Sequence, residues 1–203
     1  VCGWEANGGF LLGTDLVENG RILKALETRD SFLPILCILF AAKEQGVPIS
    51  TLFARLPARF SRASLLRNFP RERGRAIVQK LSPEDPQIKE VRMEDGQFRF
   101  FDAEDQPLSE QPGWQEEVRR IVEVLPRFFR PEEGFGRPVR LNFLDGVRIW
   151  FDNGDVAHVR PSGNADEFRI YAVADSQERA DQIVKLGVQE PDGILRRLER
   201  WLI

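Results

Sequence analysis

Histidine, methionine, tyrosine and cysteine are scarce in this chain of 203 residues, which has one His, one Met, one Tyr and two Cys. A single histidine, His158, leaves little room for a His-based metal site or a Ser-His-Asp triad. Cys2 and Cys37 form neither a metal-spaced pair nor a disulfide framework, so a reduced, cytoplasmic setting is the default expectation. Long apolar runs are lacking. The best, residues 32–42, falls short of the ~20 residues a span needs, so no membrane partner is expected. No secretory signal is visible. Positive charge is not in excess either: 29 Lys and Arg against 32 Asp and Glu give a formal net charge of -3. That removes the global electrostatic case for nucleic acid. The local basic run at residues 67–75 is interleaved with acids.

What is present fits a globular protein: 42% hydrophobic and 30% charged residues. The chain opens on Val1, its only methionine is Met93, and it runs directly into Gly3-Trp4-Glu5-Ala6-Asn7-Gly8-Gly9. A loop so rich in glycine and polar residues needs a scaffold before it, so the expectation is a fragment of a larger protein. Residues 10–17 and 21–26 read as strands around a Glu18-Asn19-Gly20 turn. Thr28 or Asp30 then caps an apolar helix over 31–45 with Gly46 at its stop. It is apolar nearly all round, as a helix buried on a sheet would be, and with that sheet mostly missing its apolar face is expected to be exposed or self-associating.

A short helix follows at 50–56, an extended stretch at 59–69 and a basic helix at 71–81, with residues 57–86 as candidate hinge. Residues 91–101 are strand-like around Asp95-Gly96, residues 113–125 have helical spacing, and 126–136 show no period. Strands at 138–143, 147–151, 156–159 and 168–172, then helices at 176–187 and 192–201, predict an α+β domain: a four-stranded antiparallel sheet with helices on one face.

Two constellations carry chemistry. In Glu5-Ala6-Asn7-Gly8-Gly9, Glu5 only accepts hydrogen bonds and Asn7 both accepts and donates, the mixture that vicinal sugar hydroxyls need. A plain glycine-rich turn explains the same residues. The second is Arg160-Pro161-Ser162-Gly163-Asn164, between two strands. Arg160 offers a planar fork of donors, Ser162 a hydroxyl and Asn164 an amide. Gly163 permits close approach of a ligand to the backbone, and successive N–H groups in such a turn make an anion nest. Arg169, in the next strand, reinforces a phosphate site or pairs with an acid. His158 shares a strand face with Arg160, either as a further phosphate donor or as a packed residue. Pro, Ser, Gly and Asn are also ordinary turn formers, so a simple hairpin remains the competing reading.

Taken in order, Glu5-Ala6-Asn7-Gly8-Gly9, Thr28-Arg29-Asp30, Asp145-Gly146-Val147-Arg148 and Arg160-Pro161-Ser162-Gly163-Asn164 resemble the C-terminal half of bacterial phosphomannomutases of the α-D-phosphohexomutase superfamily. The resemblance covers residues 1–81 and 141–203; residues 84–136 depart from the usual short link and look like an insertion. It implies a remnant of the α/β domain three over residues 1–69, a hinge and inserted segment over 70–137, and a TATA-binding-protein-like domain four over 138–203. It implies a phosphotransferase of the isomerase class, interconverting hexose 6- and 1-phosphates of mannose or glucose. Glu5 and Asn7 would select the sugar; Arg160, Ser162, Gly163, Asn164 and Arg169 would hold the phosphate that is not transferred. Some family members have histidine two residues after the position of Asn7, where this chain has Gly9.

The family's phosphoserine loop and its aspartate-rich magnesium loop belong to domains one and two. Neither pattern occurs in this sequence, so Mg2+ and the nucleophile are expected outside this chain, on the missing N-terminal domains, and the fragment alone is expected to be inactive. A TATA-binding-protein-like, non-catalytic interaction module is the alternative.

Overall fold

The computed structural model describes residues 1–4, 9–26 and 28–202. The chain divides into two compact units, Val1–Pro57 and Ala58–Ile203.

In the first unit, β1 (Cys2–Trp4) pairs antiparallel with β2 (Phe10–Leu12), and β3 (Leu16–Glu18) with β4 (Arg21–Leu23). Asn19 and Gly20 join β3 to β4 with φ of 48° and 74°, the positive values a two-residue hairpin turn requires. Asp30 Oδ1 accepts the Phe32 N–H at 2.8 Å at the start of α1 (Phe32–Gln45), and Gly46 ends the helix in the left-handed region. Phe32, Ile35, Leu36, Leu39 and Phe40 of α1 are all exposed, and Ala42 is its one buried residue. A short helix, α2 (Ile49–Ala54), follows Pro48.

The second unit opens with β5 (Phe60–Arg67) and α3 (Arg71–Lys80), then the hairpin β6 (Glu90–Glu94) and β7 (Gln97–Phe101), and α4 (Trp114–Val124). Four strands follow: β8 (Pro138–Asn142), β9 (Val147–Phe151), β10 (Val156–Pro161) and β11 (Glu167–Ala174). Helices α5 (Gln177–Val188) and α6 (Ile194–Leu202) close the unit. All seven strands of the second unit form one sheet in the order β5-β11-β10-β9-β8-β6-β7, every neighbouring pair antiparallel.

The alternation along β11 shows how the layers arise. Phe168, Ile170, Ala172 and Ala174 are buried, while Glu167, Arg169, Tyr171 and Val173 between them are half-exposed. The buried face joins Leu141, Val147, Ile149 and Phe151 of neighbouring strands to Ile77 of α3, Val118 of α4, Ile183 of α5 and Leu198 of α6 in one core. The fit is close: a Cβ added at Gly187 of α5 would lie 2.7 Å from Ile170, and one at Gly74 of α3 would lie 3.0 Å from Pro161.

The four-stranded, TATA-binding-protein-like sheet expected from sequence is therefore corrected to seven strands. With it goes the ground for an interaction module of that fold. The α/β remnant expected at the start is corrected too: the described strands there pair antiparallel, in two two-stranded sheets. The additional strands of the large sheet come from two places. β5 lies in the stretch read as extended and hinge-like; at the edge of a sheet it buries little, and its apolar alternation is weak. The β6–β7 hairpin was legible around Asp95-Gly96, but its pairing of Val91 with Leu141 spans a long sequence separation and leaves no local trace.

The stretch 126–136 is also built into the core. Phe129, Phe135 and Phe151 form a cluster with ring centroids 5.2–5.7 Å apart. Arg197 of α6, 5% exposed, donates to both carboxylate oxygens of Glu133 at 2.6 and 2.7 Å and to the Phe128 carbonyl at 2.6 Å. At the β7 edge, Gln115 of α4 accepts the Phe98 N–H at 3.2 Å and donates to the Phe98 carbonyl at 3.0 Å. The Leu108 N–H donates to the Phe100 carbonyl at 2.9 Å along the same edge.

Candidate functional site

The turn between β10 and β11 brings Arg160, Ser162, Gly163, Asn164 and Arg169 together. Arg160 and Arg169 are register partners on adjacent strands, which puts both side chains on the half-exposed face of the sheet. His158 and Tyr171 form the next such pair on that face, with rings stacked 5.5 Å apart.

Arg160 Nη1 donates to Asp145 Oδ2 at 2.7 Å, and Nη2 reaches the Tyr171 hydroxyl at 3.4 Å. Arg169 Nη2 donates to Glu167 Oε2 at 2.8 Å and to Ser162 Oγ at 3.2 Å. Ser162 is 2% exposed, and its hydroxyl donates to Asn164 Oδ1 at 3.1 Å. The Ser162 N–H is tied to the Glu167 carbonyl at 2.9 Å. The N–H groups of Gly163, Asn164, Ala165 and Asp166 donate to no acceptor among the described residues. Such a run of free donors beside two guanidinium groups suits a tetrahedral anion.

Gly163 is not demanded by the fold. Its φ is not in the left-handed region, and an added Cβ would meet nothing within 4 Å. Gly146 is different. Its φ is +84°, and a Cβ there would lie 2.3 Å from the Val159 carbonyl and 2.6 Å from Arg160 Cβ. Glycine at 146 lets the β8–β9 turn press against Arg160, which brings Asp145 within reach of the guanidinium.

The electrostatics follow from this crowding. The Tyr171 hydroxyl holds the Arg160 guanidinium above its ordinary value, burial opposes it, and Asp145 adds to the rise. Glu167, then Tyr171, does the same for Arg169. Burial pushes the Tyr171 phenol up, but Arg160 and Arg169 outweigh it and hold it below its ordinary range. His158 is buried and hydrogen-bonded through Nε2 to the Asp145 carbonyl, and burial lowers it below the usual histidine value. It packs beneath the site and supports it.

Glu5 and Asn7 lie outside the described residues. Asp145, Glu167 and Tyr171 were missed in the sequence. The signal for Tyr171 was its place two residues beyond Arg169, on the same strand face. For Asp145 it was only an Asp-Gly turn. Among the described residues no three His, Cys, Asp or Glu side chains form a set that could hold a metal ion, so none fits magnesium. No described helix is long and apolar enough to cross a membrane.

A turn with paired arginines, set between antiparallel strands with helices on the other face, occurs here in a chain with known relatives. Residues 91–186 match the family model "Phosphoglucomutase/phosphomannomutase, C-terminal domain". The chain carries that domain and is homologous to bacterial members of the phosphoglucomutase/phosphomannomutase family over most of its length. Over 187 residues it is 34% identical to a phosphomannomutase of Salmonella muenchen, covering 91% of this chain and 30% of that protein. Over 190 residues it is 30% identical to a phosphomannomutase of Sinorhizobium fredii, covering 93% of this chain and 31% of that protein. The chain thus spans less than a third of the length of these relatives. The matched range begins in β6, so it takes in β7 and α4 as well as the turn after β10.

Proposed function

We propose that this chain supplies the phosphate-holding and sugar-reading side of a phosphohexomutase that interconverts hexose 6-phosphates and 1-phosphates of the mannose or glucose series. Arg160, Ser162, Gly163, Asn164 and Arg169 hold the phosphate that is not being transferred. Glu5 and Asn7 read the sugar hydroxyls. The observation that carries the reading is the pair of arginines at register positions beside a run of unpaired N–H groups. Each guanidinium presents a flat fork of donors, and the backbone adds donors that no substitution of side chains removes.

In the complete enzyme, magnesium would neutralise charge on the phosphoryl group in transit. The work assigned to the residues of this chain is binding and orientation. The transfer group and the ion belong to other parts of the enzyme, so the 203-residue chain alone is proposed to be inactive as a mutase.

The test is an amide NMR titration of the chain with mannose 1-phosphate and glucose 1-phosphate. The amides of residue 160 and residues 162–165 shift, and Arg160→Ala removes the response. If they stay still at millimolar ligand while others move, the phosphate assignment is wrong. The same purified sample, supplied with Mg2+, shows no mutase activity; clear turnover free of host enzyme would overturn the division of labour.

A further inference from the structure

The side-chain donors of this turn are not waiting empty. Arg160 is held by Asp145 at 2.7 Å, Arg169 by Glu167 at 2.8 Å, and the Ser162 hydroxyl by the Asn164 amide oxygen at 3.1 Å. Each acceptor occupies a donor that the proposed role assigns to the anion. The Asp145 side chain is 65% exposed on a turn, and Asn164 is exposed at the tip of the loop, so both have room to leave. Glu167 is the first residue of β11 and is less free.

We infer that the carboxylates of Asp145 and Glu167 and the side-chain oxygen of Asn164 are resident acceptors that a phosphate group must displace, the Asn164 N–H remaining to hold it, and that the two carboxylates set how tightly this turn grips its ligand. The inference rests on the proposed phosphate-holding role. Its physical basis is exchange. A bound phosphate replaces one charge-assisted hydrogen bond with another, so the net gain is a small part of the gross interaction. With the carboxylates in place, two guanidinium groups on partner positions face two negative charges, which offsets the repulsion between like charges directly opposite in a sheet. The same charges then compete with the ligand or repel it. A turn of this kind holds a phosphate and also releases it, as an enzyme that must let its product go requires. A support role for Asp145 predicts the opposite sign: removing its charge would let Arg160 drift and weaken binding.

The experiment compares the 203-residue chain with Asp145→Asn and Glu167→Gln, titrated with inorganic phosphate and followed by the amides of residue 160 and residues 162–165. Asp145→Asn retains the main-chain carbonyl that faces His158, and the amide spectrum reports whether each variant folds. The expected result is tighter binding by about three- to tenfold in Asp145→Asn, from the loss of one competing charge near a largely divalent anion, with slower dissociation. Glu167→Gln tightens binding in the same direction and carries the test if Asp145→Asn does not fold. Wild-type binding with unchanged or weaker binding in the folded variants overturns the inference and leaves the phosphate assignment standing. No response at these amides in the wild type overturns both.

Discussion

Replacing Arg197 with methionine tests whether the 126–136 stretch belongs to the core of the second unit. Methionine keeps an unbranched stem in contact with the surrounding apolar groups and removes every donor. The Glu133 carboxylate, with a side chain 17% exposed, loses both of its short bonds, and the Phe128 carbonyl loses a partner at 2.6 Å. Removing one member of a buried ion pair costs about 3–5 kcal/mol, because the other charge stays desolvated and unpaired. One feature reduces the cost: Arg197 Nε is itself buried with no partner among the described residues, so its removal returns part of a desolvation penalty. The expected loss is about 3 kcal/mol, or about 6–12 °C in Tm for a unit of this size. Urea unfolding of the whole chain measures it, with the fluorescence of Trp114, Trp150 and Trp201 reporting on the second unit. In Arg197→Met/Glu133→Leu most of the loss should return, since an apolar pair in place of a buried ion pair is close to neutral. A single-variant cost under about 1 kcal/mol, or a double variant no better than the single, refutes the argument.

Gly163→Ala separates folding from binding: the position is open and needs no left-handed backbone, so stability should rise by about 0.4–1 kcal/mol, while phosphate binding weakens several-fold as a methyl group enters the ligand's space. A loss of stability in thermal melts would mean that the fold itself requires glycine there. The pH dependence of stability follows from His158. Its folded-state value is lowered by burial, so the unfolded chain binds the proton more readily, and the contribution is fully present above the ordinary value of 6.5. Stability should therefore fall as pH drops below 6.5 toward the folded value, and His158→Gln should remove that slope in urea titrations; an unchanged slope would place its source elsewhere.

Much of this architecture was legible in local pattern. Asn19-Gly20, Asp95-Gly96, Gly46 and the strand read over residues 168–172 each announced a turn, a helix stop or a half-buried strand. Sheet membership was hidden, because β5 and the β6–β7 hairpin join partners far along the chain. Burial at an edge strand is also too slight to stamp a period on residues such as Ser61, Arg62 and Ser64. The candidate site was legible as a list of donors, Arg160, Ser162 and Arg169. Its acceptors were not. Asp145 reaches Arg160 only because Gly146 lets one turn press on the next strand, a contact that no spacing rule reports. The burial of Ser162 and its engagement by Asn164 depend on how the loop folds back, which hydropathy does not encode.

The amide of Gln115 imitates one residue of a missing strand, accepting from and donating to Phe98 as a neighbouring backbone would. Growth of the sheet at β7 therefore meets a false neighbour. With Phe98 engaged by a side chain and the Phe100 carbonyl by the Leu108 N–H, a further strand could pair along β7 only by displacing them. A helix residue here guards a sheet edge by occupying the backbone groups that a further strand would have to use.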